Sequence, residues 1–273
     1  MTQVRIPEKW SFLQSTIDTE NDNIDNFIVS DVSSGIWPDS NNIFNALNDM
    51  DPKQVRYVVL GQDPYPRPVS ATGISFFDGE VLDWQGKMSP SIRNIIKSIL
   101  ISRDLCEPDT KVAQMRQTIS SINFPQPQEF FDRTRKNGTL WLNTSLTFGG
   151  KAAKTLREHL NFWKPTINTI IEHVIAESEH TVAFLLFGGK AQKLEKSIQK
   201  KADKAGKQIV FVRNCHPMMQ AFHDECCFLE IPEFVDIVFN ETENKKRTLG
   251  GEKGSKIHPL LDDLEFQDPK AEE

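Results

Sequence analysis

The sequence predicts an α/β fold, a three-layer α/β/α arrangement around a central four-stranded parallel sheet. Four short apolar runs have the length of buried strands, and segments with helical spacing separate most of them. Polar or turn-forming residues follow each run. Such alternation with right-handed crossovers is typical of a parallel sheet with helices on both faces. The predicted strands are 57–60, 139–142, 181–187 and 208–212.

The segment before the first strand is expected to cover the core from outside. Residues 1–32 are polar and acidic after an apolar cluster of Trp10, Phe12 and Leu13, which predicts helices packed on the exterior. A short helix is predicted at 42–48, because its apolar residues share one face.

Two loops and a helix follow the first strand. The run 57–60 stops at Gly61, and the next five residues, QDPYP, place a carboxylate in a loop that two prolines stiffen. Gly73 permits an unusual backbone angle just before an aromatic pair. A helix follows at 92–99, which Ser89 or Ser91 can cap, and its free N–H groups form a natural phosphate seat.

After residue 102 the sequence predicts helices clearly in some segments and weakly in others. Residues 103–138 read as irregular, with weak helical patterns at 112–119 and 130–135 and no assigned role. Helices are predicted at 160–175, from 188 to about 206, and at 226–240. Residues 1–240 are expected to form one domain, and 241–273 an acidic, mobile tail.

Composition bounds the class of protein. With 273 residues, 38% apolar and 26% charged, the chain can bury a large core, and it has no apolar run of membrane-spanning length. The first residues lack a secretory profile, so the four cysteines are expected to be free thiols inside a cell. That predicts the cytoplasm of a prokaryote or the nucleus of a eukaryote. The net charge of −6 does not exclude a local basic surface, since seven lysines lie within 190–207.

Polar groups converge on one edge of the predicted sheet. Asp63, Asn143, Gly188 and His216 each come just after a strand, and the carboxyl ends of parallel strands lie side by side. Each has an ordinary explanation as a turn residue. Together they predict one crevice that holds an acid, an amide, a glycine-opened helix start and a histidine.

Six motifs in order resemble the classical uracil-DNA glycosylase family over about residues 35–240. They are GQDPYP (61–66), GISFF (73–77), SPS (89–91), LNTSLT (142–147), LLFGGKAQ (185–192) and CHP (215–217). The resemblance implies a DNA-repair hydrolase that flips uracil out of DNA and cleaves its N-glycosidic bond to leave an abasic site. It implies single- and double-stranded DNA as the partner, no cofactor, a monomer, and a protein inhibitor or replication factor as further partners.

The resemblance also implies how the base is read. Asn143 matches the amide that accepts from uracil N3–H and donates to O4, a pattern that cytosine reverses. Tyr65 matches the residue that leaves no space for the methyl group of thymine. Phe76 matches the ring on which the flipped base stacks.

For catalysis, the resemblance assigns Asp63 and His216. Asp63 matches the carboxylate that stabilises the oxocarbenium-like sugar and orients the attacking water. His216 matches the neutral donor to uracil O2, and backbone N–H groups near Gln62 assist. No metal is required.

The DNA contacts implied by the family lie in three loops, and two positions depart from its pattern. Pro66 stands where the family usually has histidine. Gln220 stands where a leucine fills the emptied base stack, which predicts weaker action on duplex DNA than on single strands. The residues expected to contact DNA are Ser89, Ser91, Gly188, Gly189, Lys190, Met218, Met219 and Gln220.

Three alternatives stay open. Cysteine and histidine residues within 215–227 are zinc-type ligands, but two of the cysteines are adjacent, no CxxC is present and a second pair of ligands is missing, so we predict no metal site. No cysteine cluster flanks the first motif, so we also predict no iron–sulfur cluster. A second alternative is a weakened glycosylase scaffold that serves as a DNA-binding or protein-interaction module. The third is a glycosylase with a changed base preference.

Overall fold

A computed structural model describes residues 4–20, 27, 35–149 and 155–241. The predicted tail, from residue 242 onward, lies outside the described residues, as does most of 21–34. Among the residues described, no helix is long and apolar enough to cross a membrane.

Four parallel strands form one sheet in the order β2-β1-β3-β4. They are β1 (Tyr57–Gly61), β2 (Thr139–Asn143), β3 (Val182–Phe187) and β4 (Ile209–Asn214). All pairings are parallel, as predicted. The register sets Gly61 beside Asn143 and Phe187 beside Asn214, so these strands reach the same edge of the sheet together.

Eight α-helices lie within the described part of the chain. Short 3-10 turns at Glu8–Trp10, Asn45–Leu47, Pro52–Gln54, Gln220–His223 and Cys227–Glu230 connect several elements. The helices are α1 (Leu13–Glu20), α2 (Pro90–Ile101), α3 (Val112–Ser121), α4 (Pro127–Lys136), α5 (Leu156–Glu177), α6 (Gly189–Gln192), α7 (Glu195–Ala205) and α8 (Pro232–Val238).

The two faces of the sheet carry two separate cores, as a three-layer fold requires. Val59 and Trp141 belong to the core that α2, α4 and α8 cover. The alternate residues Val58 and Leu140 belong to the other core, with α1, α5 and α7. The strands are therefore apolar on both faces, as the continuous apolar runs predicted.

Three predictions of local structure are corrected. The segment 42–48 forms only a 3-10 turn, Asn45–Leu47, instead of a helix. The segment 103–138 holds two full helices; α3 buries only Met115 and Ile119, which explains its weak pattern. The closing helix begins at Pro232 and not at residue 226, because a residue before proline is held out of the helical region and proline suits the first helical turn.

Candidate active site

A cavity of about 140 Å³ lies at the carboxyl edge of the sheet. An apolar cavity of about 150 Å³ holds one benzene ring, so this one is of the size of a single ring. The structure brings Asp63, Asn143 and His216 to its wall, although they are far apart in sequence. Its other lining residues include Gly61, Gln62, Pro64, Tyr65, Phe76 and Ser91.

Asn143 offers an unused carboxamide to the cavity. It is the last residue of β2, its exposed fraction is 4%, and its side chain has no hydrogen-bond partner among the described residues. Gly61 lies beside it in the register of β1. A Cβ atom on Gly61 would lie 2.2 Å from Asn143 Oδ1, so only glycine leaves room for this carboxamide. A carboxamide that faces a cavity without a protein partner is available to a ligand.

Asp63 is half-buried in the loop after β1. The Nε2 amide of Gln62 donates to Asp63 Oδ1 at 2.7 Å. Burial raises the pKa of Asp63, whereas the Gln62 hydrogen bond and the charge of Lys190 lower it. The backbone here is fixed to the next strand end, because the N–H of Ser145 donates to Gln62 O at 2.9 Å.

His216 lies at the exposed rim of the cavity in the loop after β4. The backbone N–H of Met218 donates to His216 Nδ1 at 3.2 Å. Because Nδ1 accepts this bond, the ring is neutral and carries its proton on Nε2. Partial burial and the positive charge of Lys190 lower the pKa of His216, which favours the same neutral form.

Gly188 sets the position of the His216 ring. Its φ of +88° lies in the left-handed region, and a Cβ there would lie 3.0 Å from His216 Cβ. The glycine therefore lets the end of β3 pack directly against the histidine.

Tyr65 forms one wall of the cavity and is fixed by its hydroxyl. Its hydroxyl and that of Ser89 lie 2.9 Å apart in a hydrogen bond. Burial raises the pKa of Tyr65, so the phenol stays neutral. Ser89 occupies the N-cap position of α2, as predicted, but its side chain does not cap the helix. The first turn of α2 is therefore left open beside Ser91.

Phe76 is held in a backbone conformation that non-glycine residues rarely adopt, with φ at +63°. Neighbouring contacts enforce it: Ser75 donates its N–H to Trp141 O at 3.1 Å, and Gly73 packs where a Cβ would lie 1.8 Å from Asn42 O. Strained residues of this kind concentrate at functional sites. The strain sets Phe76 on the wall of the cavity.

The residues predicted to contact DNA lie around the mouth of this cavity. Gly189 and Lys190 begin α6, directly after the glycine that contacts His216. Met218 and Met219 follow His216, with exposed fractions of 63% and 56%, and Gln220 is also exposed. Exposed methionines are uncommon on an ordinary surface, because burying them stabilises the fold.

Two asparagines that no sequence motif marks hold the His216 loop. Asn94 in α2 donates from Nδ2 to Pro217 O at 2.6 Å. Asn214 donates from Nδ2 to Phe222 O at 3.0 Å and to Glu225 O at 2.8 Å. Asn94 is buried in α2 but lies away from the face that carries Ile92, Ile95, Ile96 and Ile99, so the apolar spacing of the helix does not mark it.

The cysteines and histidines of the zinc alternative do not form a metal site in the described part of the chain. There, no group of three or more histidine, cysteine, aspartate or glutamate residues could hold a metal ion. Cys106, Cys215, Cys226 and Cys227 are all free thiols.

Comparison with known proteins identifies relatives along most of the described chain. The family model described as "Uracil DNA glycosylase superfamily" matches residues 47–234. A uracil-DNA glycosylase of Idiomarina loihiensis is 35% identical over 159 residues, which are 58% of this chain and 62% of that protein. One of Acinetobacter baylyi is 29% identical over 199 residues, 71% of this chain and 73% of that protein. The match thus spans about three fifths of the length of the Idiomarina relative.

Solved structures agree in fold. The wild-type UNG structure from Nitratifractor salsuginis is 26% identical, with a TM-score of 0.67, and the match covers 86% of this chain and 92% of that one. The mimivirus uracil-DNA glycosylase structure is 19% identical, with a TM-score of 0.56, and the match covers 78% of this chain and 70% of that one.

Proposed function

The chain belongs to the uracil DNA glycosylase superfamily, and from this premise we propose that it excises uracil from DNA. The proposed reaction is hydrolysis of the N-glycosidic bond of a flipped-out nucleotide, which leaves an abasic site in DNA repair. One observation carries the proposal: Asp63, Asn143 and His216 line one cavity of the size of a single ring.

The unpartnered Asn143 carboxamide supports uracil as the base. Its oxygen can accept from N3–H and its amide nitrogen can donate to O4. Cytosine presents an unprotonated N3 and an amino group at these positions, so both hydrogen bonds would be lost while the amide keeps this orientation. A site that leaves a buried amide unpaired discriminates strongly against such a base.

Two aromatic side chains bound the base on different sides. Tyr65 is fixed by its hydrogen bond to Ser89, so its ring cannot readily withdraw from a base. We propose that this rigid wall excludes the 5-methyl group of thymine. Phe76, whose backbone is strained into position, provides the stacking face.

Asp63 and His216 would stabilise the two charges that separate as the bond breaks. When the C1′–N1 bond breaks, its electron pair moves onto uracil and positive charge grows on the sugar. The Asp63 carboxylate would stabilise that positive charge and orient the water that adds to C1′, and the proton that this water loses balances the charge of the departing uracil anion. The neutral His216 ring would donate from Nε2–H to uracil O2, which takes up negative charge.

The mouth of the cavity supports a grip on the phosphate backbone. The uncapped first turn of α2 near Ser89 and Ser91, and the backbone of Gly189, offer N–H groups of the kind that bind phosphate. The N–H of Gly188 is not available, because it donates to Asn214 O at 2.9 Å. Exposed Met218 and Met219, with Gln220, are the side chains available to fill the emptied stack. Because these are flexible, we propose a preference for single-stranded over duplex DNA.

A glycosylase assay tests this proposal. Uracil-containing oligonucleotides, single- and double-stranded, are incubated with the wild type and with Asp63→Asn, and abasic sites are revealed by alkaline cleavage. We expect uracil release that falls by about 10²–10³-fold in the variant, the usual effect of removing one transition-state electrostatic contact. Absence of release by the wild type from both substrates would favour the scaffold alternative.

The same assay addresses the remaining alternatives. Release of thymine or cytosine from matched oligonucleotides would indicate a changed base preference. Added UGI, the protein bound to mimivirus UNG variants in two of the structures similar in fold, tests the expected inhibitor. We also propose that the protein acts inside the cell and as a monomer.

A further inference from the structure

Lys190 reaches across the mouth of the cavity to the loop after β1. Its Nζ donates to Gln62 Oε1 at 2.7 Å, and Gln62 Nε2 in turn donates to Asp63 Oδ1 at 2.7 Å. The chain of two hydrogen bonds joins α6 to the proposed catalytic carboxylate. It connects two segments that are 128 residues apart in sequence.

The two ends fix the orientation of the Gln62 amide. An ammonium group can only donate, and an ionised carboxylate can only accept. The carbonyl of Gln62 must therefore face Lys190, and its NH₂ group must face Asp63. A flipped amide would set donor against donor at one end and acceptor against acceptor at the other.

This arrangement occupies one carboxylate oxygen and leaves the other available. Asp63 Oδ1 accepts from Gln62, whereas Oδ2 accepts no hydrogen bond from any residue that the structure describes. We propose that Lys190 is a positioning residue that acts through Gln62 to hold the Asp63 carboxylate with Oδ2 facing the sugar and the attacking water. This inference rests on the proposed function.

The charges around the cavity support the same role. Burial raises the pKa of Asp63, and the charge of Lys190 partly opposes that rise; burial lowers the pKa of His216, and the charge of Lys190 lowers it further. His216 is the other titratable group that faces Asp63 across the cavity, and Tyr65 in the same loop is neutral. One lysine thus favours an ionised carboxylate and a neutral imidazole, the two forms that the proposed reaction uses.

The first test reads the carboxylate directly and needs no activity. The pKa of Asp63 is measured by carboxyl-carbon NMR titration of the full chain, with Asp63→Asn identifying its resonance. We expect a higher pKa in Lys190→Met and a value close to the wild type in Lys190→Arg. The control is Lys193→Met in the same turn, because the Lys193 ammonium has no partner among the described residues. An unchanged pKa in Lys190→Met would overturn the proposal.

The second test separates positioning from a simple phosphate contact. For single-stranded substrate, Lys190→Met should lower kcat by about tenfold, which is about 1.4 kcal/mol, and should have no further effect once Gln62 is changed to Leu. A lysine that only binds phosphate would instead raise KM, reduce the salt slope by about one, and act equally in both backgrounds. That second pattern overturns the proposal.

If the wild type releases no uracil, the proposed function fails while the titration still decides whether Lys190 controls Asp63. A wild type that releases uracil, combined with an unchanged Asp63 pKa in Lys190→Met, refutes this inference alone. The two failures are therefore distinguishable.

Discussion

Replacing Gly61 by alanine should disable base reading without changing the identity of the residue proposed to read the base. The added Cβ would lie 2.2 Å from Asn143 Oδ1, whereas ordinary contact begins at 3.4 Å. The carboxamide must therefore move by about 1.2 Å. Misplacement of a substrate-positioning group by about 1 Å lowers the rate by about 10²-fold, so we expect kcat/KM for uracil release to fall by that factor, or about 2.7 kcal/mol.

The assay is uracil release from a single-stranded oligonucleotide, measured for Gly61→Ala, Asn143→Ala and the double variant. Because both changes remove the same interaction, the double variant should be no worse than either single one. Gly86→Ala is the matched control, since the nearest atom to its added Cβ would be 3.6 Å away.

Loss of folding must be separated from loss of base reading. The new Cβ would also lie 2.8 Å from Ser75 Cβ, and overpacking of this kind destabilises a fold by about 1–3 kcal/mol. Thermal melting therefore accompanies each rate, and rates are compared well below the melting temperature. If folded Gly61→Ala keeps a rate within about threefold of the wild type, the assignment of Asn143 as the base-reading residue is wrong.

Four further results are expected. Gly188→Ala should lower kcat by displacing the His216 ring, since its Cβ would lie 3.0 Å from that of the histidine; kinetics with both strand types checks this. Asn94→Leu should lower kcat similarly by freeing the loop that carries the histidine, and limited proteolysis of that loop should accelerate. Burial raises the pKa of Asp63 in the folded protein, so the folded state is stabilised while Asp63 is protonated and loses that stability as pH rises through the raised pKa. Asparagine carries no charge, so Asp63→Asn should have a higher melting temperature than the wild type at pH 7 and the same melting temperature at acidic pH. Burial lowers the pKa of His223 to about 4, so as pH falls the unfolded chain takes up this proton at a higher pH than the folded protein does. The free energy of unfolding should therefore fall by about 2–3 kcal/mol between pH 6.5 and 4. Urea unfolding should show that this contribution is absent in His223→Gln.

The sequence allowed the sheet to be predicted because its strands are buried on both faces. The continuous apolar runs at 57–60 and 139–142 have the length of buried strands, and each observed strand extends one residue beyond its run. The last strand continues to Asn214, two residues beyond the prediction, because its polar end is paired with β3 rather than buried. Strand order could not be derived, since pairing depends on contacts between distant residues.

The sequence allowed the polar residues at the cavity to be predicted, but not the hydrogen bonds that hold them in position. Asp63, Asn143 and His216 each follow a strand, and parallel topology alone brings them to one edge. Asn94 and the Lys190 to Gln62 bond escaped notice, because they depend on which helix faces which loop. Spacing along one segment cannot show a hydrogen bond between residues more than a hundred positions apart.

The cavity concentrates features that each oppose folding. The carboxamide of Asn143 has no protein partner, Phe76 is held at a positive φ, and the carboxylate of Asp63 is partly desolvated. Each of these is destabilising by an amount on the order of 1–3 kcal/mol where it has been measured in proteins. Selection for stability alone would not bring these three features together at one cavity. The proposed function explains all three together: a flipped nucleotide would bring a base that pairs with Asn143 and stacks on Phe76, and a sugar whose growing positive charge Asp63 stabilises.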